Sequence, residues 1–196
     1  WGDEWTRVNR LHRETASNNS LFGAAIGISG DLVVVGAPNV GEGNPLEAGE
    51  VYAFTKPSDL SSMWPEPDIL VADVRQDADH FGISVAVEGD TVVVGAAPRD
   101  SGAVYAFTKL ASGWSPPEKL LSDRNVVNDF FGHSVAISGA RMAIGTPRFM
   151  TELDEPGGVY VLARSGTSWE EEQLILGPSY LSDFGNSVGI SADSIV

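Results

Sequence analysis

Cysteine is absent from the 196 residues, which excludes disulfides, thiolate metal sites and a cysteine nucleophile. Basic residues are scarce. Twelve Lys and Arg stand against 27 Asp and Glu, for a formal net charge of −15. Sequence-independent nucleic-acid binding relies on Lys and Arg neutralising phosphates and does not fit that balance; cations or basic partners do. No apolar run approaches the ~18 residues of a membrane span, and no charged segment followed by an apolar one opens the chain as an export signal would. Imidazoles number three, His12, His80 and His133. The chain also lacks a Gly-x-Ser-x-Gly elbow, a Walker loop and a His-Glu-x-x-His pair, so the expectation is no catalysis. What remains is 42% hydrophobic and 20% charged, enough apolar material for a core and too little charge for disorder.

The apolar material is periodic on a long scale, the signature of a repeat architecture. Phe-Gly recurs at Phe22, Phe81, Phe131 and Phe184, at intervals of 59, 50 and 53 residues. Each opens the same phrase: FGAAIGISGD, FGISVAVEGD, FGHSVAISGA and FGNSVGISAD, followed in the first three by LVVVGAP, TVVVGAAP and RMAIGTP. Then come GEVYAF, GAVYAF and GGVYVL, and a Trp starts the last segment, at Trp64, Trp114 and Trp169, with Trp5 the same element ahead of the first Phe-Gly. Each repeat holds four runs rich in Val, Ile, Tyr and Phe, alternating with period two and punctuated by Gly, Pro, Asp and Ser. No helix is needed. The Gly in Ser29-Gly30-Asp31 and Glu88-Gly89-Asp90 supplies the positive φ of a tight hairpin. The predicted unit is a four-stranded antiparallel meander with two apolar faces, which must stack on its neighbours, and radial stacking makes a β-propeller.

The order Phe-Gly, Gly-Ala-Pro, Gly-x-Val-Tyr-x-Phe, Trp resembles the FG-GAP repeat family, found also in integrin α-subunits, and looks closer to its bacterial exported branch. The resemblance covers essentially the whole chain, read as one domain, residues 1–196, all-β. It implies seven blades and a ring of roughly twice this length. The chain is then about half a ring, with the strand before Phe22 belonging to a preceding blade and the remaining blades coming from a longer polypeptide or a second copy. It also implies a secreted or cell-surface protein-interaction or adhesion module. Alternatives are a carbohydrate-binding module, for which Phe149 and Tyr180 are the available aromatics, and the non-catalytic propeller of a larger exported enzyme. The binding partner, protein or glycan, is not named by the sequence.

Residues that recur in every repeat are expected to be architectural. Phe22, Phe81, Phe131 and Phe184 are expected to wedge between blades. Trp5, Trp64, Trp114 and Trp169 are expected to cover blade edges. Ser84, Ser134 and Ser187, with Ala25 in the same register of the first repeat, are expected to bond neighbouring backbone. Integrin-like members carry a calcium loop of the type Asp-x-Asp-x-Asp-Gly between strands one and two; this chain has only short turns there. Calcium prefers six to eight oxygens, so no metal or other cofactor is expected there, and Asp31, Asp90 and Asp193 are read as turn residues.

Function is expected at the opposite end of the meanders, where the loops between strands two and three vary: ten, three and nine residues at 39–48, 99–101 and 148–156. Loop variation on a rigid scaffold is where binding resides. The loops of that end, including those joining one blade to the next, hold 13 of the 27 acids, an excess that attracts basic partners or divalent cations. Candidate binding residues there are Glu42, Glu47, Asp73, Asp77, Asp79, Arg99, Asp100, Arg148, Phe149, Glu152, Asp154 and Glu155. The segments DVRQDAD, from Asp73 to Asp79, and ELDE, from Glu152 to Glu155, are rich in oxygen ligands but have no recognisable metal spacing. Solubility and capping of the loop's own amides account for the same acids.

Overall fold

The computed structural model describes residues 10–12, 20–40, 48–59, 63–75, 79–97, 102–124, 129–147, 156–179, 182–192 and 194–196. Among them every regular element is a strand. Blade one comprises β1 (Ile26–Ser29), β2 (Leu32–Ala37), β3 (Glu50–Thr55) and β4 (Asp68–Leu70). In blade two, β5 (Ser84–Glu88), β6 (Thr91–Ala96) and β7 (Ala103–Leu110) are followed by an outer strand in two pieces, β8 (Gly113–Trp114) and β9 (Glu118–Leu120). Blade three holds β10 (Ser134–Ser138), β11 (Arg141–Thr146), β12 (Gly158–Ser165) and β13 (Ser168–Leu176), and a two-stranded sheet of β14 (Ile190–Ser191) and β15 (Ser194–Ile195) follows. All ladders are antiparallel, in sequence order within each blade. The strand expected before Phe22 falls mostly outside the described residues, and residues 10–12 carry no strand.

Proline placement explains why the outer strands differ. Proline offers no N–H to a ladder. Pro65 and Pro67 precede a β4 of three residues, and Pro116 and Pro117 separate β8 from β9. Ser115 spans that break, its N–H reaching the Thr108 carbonyl (2.9 Å) and its Oγ accepting from the Thr108 N–H (3.0 Å). The corresponding WEEEQLIL has no proline, and β13 runs unbroken for nine residues with one bulge opposite Val161 and Leu162.

The Phe-Gly dipeptide is the centre of a β-turn. The N–H two residues after each Phe donates to the carbonyl of the residue before it, as in Ile83 to His80 (3.0 Å) and His133 to Phe130 (2.9 Å). The Gly sits at φ near +90°, between 90° and 92° in all four turns, as the third residue of a type II turn must. The residue before each Phe is also left-handed: Leu21, His80, Phe130 and Asp183, with φ of 44–56°. A turn with two positive-φ residues ahead of each inner strand is therefore a fixed part of the blade.

The blades stack face to face through their apolar sides, with β1, β5, β10 and β14 side by side as successive innermost strands. One core fills the seam between blades one and two: Leu32, Val34, Val51, Ala53 and Leu70 from the first meet Phe81, Val92, Val94, Tyr105 and Phe107 from the second. A second core repeats the arrangement with Val93, Val104, Ala106 and Leu120 against Phe131, Met142, Ile144, Tyr160 and Trp169. Phe81 and Phe131 are 0% and 1% exposed. They meet the tyrosine of their own blade edge-on, with ring centroids 5.4 Å apart for Phe81–Tyr105 and 5.2 Å for Phe131–Tyr160.

Close approach at each seam depends on a glycine that is not in a left-handed conformation. A Cβ on Gly36, Gly95 or Gly145 would overlap the carbonyl oxygen of Gly82, Gly132 or Gly185 in the next blade. The Gly of the Phe-Gly turn and the Gly of the Gly-Ala-Pro segment are thus the two halves of one contact between blades.

Candidate interaction face

In a meander the turns between strands one and two and between three and four share one end, and the loops between two and three and from blade to blade share the other. The first end is built for cohesion. Residues 30 and 31 form a two-residue turn between Ser29 and Leu32, with Gly30 at φ 56°, and the turn of one blade is bonded to the turn of the next. Ser29 Oγ accepts from the Gly89 N–H (3.0 Å), a Glu88 carboxylate oxygen from the Gly139 N–H, and Ser138 Oγ from the Ala192 N–H (3.2 Å). Asp31 pairs with Lys56 (2.7 Å) across its own hairpin.

The tryptophans are likewise engaged between blades. Trp114 Nε1–H donates to Asp68 Oδ2 (3.0 Å) in the preceding outer strand, and the Trp169 N–H donates to Glu118 Oε1 (3.0 Å). Asp68 and Glu118 hold the same register, four residues after a Trp. Lys109 lies over the Trp114 ring at 5.8 Å and Arg164 over Trp169 at 5.6 Å.

At the opposite end, the first two seams bring loop acids near the tyrosine of the following blade. Lys119 Nζ lies over the Tyr105 ring, 5.6 Å from its centroid; burial pushes the phenol above its ordinary pKa of 10.0, Lys119 works against that, and the nearby Asp73 and Asp79 carboxylates add to it. Beside Tyr160 lie Asp123, Asp129 and Arg124, its hydroxyl is 2.8 Å from Ser122 Oγ, and burial again raises it. Asp129 is 3% exposed, and its Oδ1 accepts from the Phe131 N–H (3.1 Å). It lines a narrow recess together with Arg124, Thr146, Pro156, Gly158 and Tyr160. Asp73 Oδ1 accepts from the Val74 N–H (2.9 Å). In blade one, Glu50 accepts from the Tyr52 hydroxyl (2.6 Å) and from Arg75 (3.5 Å).

Of the candidate binding residues, Asp73 and Asp79 are thus brought together around Tyr105. Glu42, Glu47, Asp77, Arg99, Asp100, Arg148, Phe149, Glu152, Asp154 and Glu155 lie outside the described residues, as do Trp5, Tyr180 and Asp193. The three histidines stay in separate registers. His12 is exposed, His80 is the left-handed residue before Phe81, and His133 is half-buried, with its pKa lowered by burial and a side-chain bond to Asn186 working against that. Among the described residues no three His, Asp or Glu cluster as a metal ion would need, and no helix is long and apolar enough to cross a membrane. Reading the sequence passed over Tyr105, Tyr160 and their partners Lys119 and Ser122. The tyrosine was visible as the invariant of Val-Tyr-x-Phe and Val-Tyr-Val-Leu, but the side chain that meets it differs between the first two seams.

Four-stranded meanders stacked through both faces, with cohesive turns at one end and polar loops at the other, define a β-propeller repeat protein. A sequence model of the FG-GAP repeat matches residues 5–54, 64–107 and 114–162, well over half of the chain, and the protein belongs to that repeat family. No curated protein matches the chain. Each matched segment begins at the tryptophan and ends in the third strand of the following blade, so the sequence repeat is displaced by one strand from the structural blade.

Proposed function

We propose that this chain is a non-catalytic protein-interaction module of an extracellular or cell-surface protein, binding through the end that carries the loops between strands two and three and between blades. Repeats of this family are typically interaction modules in β-propellers and occur in extracellular and surface proteins. The observation that carries the choice of end is the division of labour between the two. Ser29, Glu88 and Ser138 of the turn end bond blade to blade, whereas Asp73, Asp123, Arg75 and Arg124 are exposed at the other. The surplus of acid over base in those loops favours a basic partner, attracted over distance and sensitive to salt.

A panel of synthetic Lys- and Arg-rich peptides tests this by biolayer interferometry on the intact chain. Binding should weaken as salt rises, and D73K should weaken it about threefold or more, while D90K at the opposite end leaves it unchanged. Absence of salt-sensitive binding, or equal loss from both substitutions, would overturn the assignment of the face.

A further inference from the structure

We propose that the seam between blades one and two is the compliant joint of the stack, made so by Ala25 and Ala72 standing where the next seam has Ser84 and Ser122. The positions correspond residue for residue. Ser84 is the third residue after Phe81 as Ala25 is after Phe22, and Ser122 follows Leu120 by two as Ala72 follows Leu70.

Both serines bond across the second seam, and both bonds are buried: Ser84 Oγ–H donates to the Gly132 carbonyl (2.7 Å), and Ser122 Oγ meets the Tyr160 hydroxyl (2.8 Å). The first of these recurs at the third seam, where Ser134 Oγ–H donates to the Gly185 carbonyl (2.8 Å). The first seam has neither. Gly82 is buried, and no donor among the described residues reaches its carbonyl, which faces the Gly36 backbone. Where Ser122 meets the Tyr160 hydroxyl at the second seam, the first seam has the methyl group of Ala72, which offers the Tyr105 hydroxyl no partner.

Three side-chain bonds between described residues cross the first seam at its surface. Ser29 to Gly89, Lys109 to Thr55 (2.6 Å) and Trp114 to Asp68 are all exposed. Water competes for exposed bonds at little cost, whereas parting a buried pair leaves donor and acceptor unsatisfied. The first seam therefore opens more readily than the second. Its loop end carries Asp73 and Asp79, so such opening shifts those acids relative to the rim of blade two.

Amide hydrogen exchange on the intact chain reads this directly, because backbone N–H groups bridge each seam. Phe81 donates to the Ala48 carbonyl and Gly89 to Ser29 at the first seam; Gly139 donates to Glu88 and Trp169 to Glu118 at the second. The Phe81 and Gly89 amides should exchange faster than those of Gly139 and Trp169, each corrected for its intrinsic rate. The double variant A25S/A72S should slow Phe81 and Gly89 about threefold to tenfold, the worth of one ordinary hydrogen bond, and leave Gly139 and Trp169 unchanged. S84A/S122A should accelerate Gly139 and Trp169 alone. Equal protection of the two seams in the unaltered chain, or serines that slow all four amides alike or none, would overturn the proposal.

Discussion

The contact between Gly95 and the next blade makes a sharp prediction for Gly95→Ala. Gly95 is not in the left-handed region, so its backbone accepts alanine, and the unfolded chain loses entropy in a way that favours the variant by about 0.4–1 kcal/mol. The cost is steric. The new Cβ would overlap the Gly132 carbonyl oxygen and Ser84 Oγ, two atoms already bonded to each other. Forcing blade three away resembles overpacking a core, about 1–3 kcal/mol. Displacing the hydroxyl leaves a buried carbonyl unsatisfied, about 1–3 kcal/mol more. The net destabilisation is about 2–5 kcal/mol, a large part of the ~5–15 kcal/mol that holds a domain folded. Gly89→Ala is the control. Its Cβ meets nothing within 4 Å, and its φ of 55° is the whole penalty, about 1–2 kcal/mol. Urea unfolding followed by tryptophan fluorescence measures both, since Trp169 lies in the same seam core. In a Ser84→Ala background the cost of Gly95→Ala should shrink by about 1 kcal/mol, because the bond it breaks is already gone. A Gly95→Ala cost no greater than that of Gly89→Ala, or strict additivity with Ser84→Ala, would refute the steric reasoning.

The wedge phenylalanines differ by position. Phe81→Ala removes a ring at 0% exposure between two blades and should cost about 3–5 kcal/mol, whereas half-buried Phe22 should cost clearly less; equal midpoint shifts in denaturant would argue against the wedge. Tyr105 and Tyr160 give the chain an alkaline limit. Their phenols are raised above 10.0 in the folded state, so the protonated form is favoured by folding. That stability is fully present below the ordinary value and is lost as pH rises through the folded one. The melting temperature should therefore fall above pH ~10, and Tyr160→Phe should flatten the fall; an unchanged alkaline profile in that variant would exclude the tyrosine as its source.

Much of the blade was legible because its determinants are local. Alternating Val and Ile, the Gly of each hairpin and the Phe-Gly turn each depend on only a few neighbouring residues, and the strands fall where those signals stand. The division of the outer strand of blade two followed from Pro116 and Pro117, both plain in the sequence, yet the recurring Trp suggested one uniform strand. The seam clusters were not legible in the same way. That Ser122 meets the Tyr160 hydroxyl across a seam depends on which side chains face one another between sheets, and a single repeat carries no record of its neighbour. Asp73 and Asp79 stood out as acids of one loop segment, but their part in setting the environment of Tyr105 required the stack itself.

The one-strand displacement between repeat and blade has a consequence for how such chains can be cut and rejoined. A segment excised from one tryptophan to the next contains three strands that pair with one another and a fourth whose partner stays behind. It is no self-sufficient module, and expressed alone it would leave a strand unmatched at each side. Joined back into an array at the same boundary, however, these segments restore the sheet at every internal junction, because each junction is spanned by strands from two consecutive segments. The covalent unit that duplicates and the unit that folds are different objects, and their overlap clasps each blade to the next along the chain.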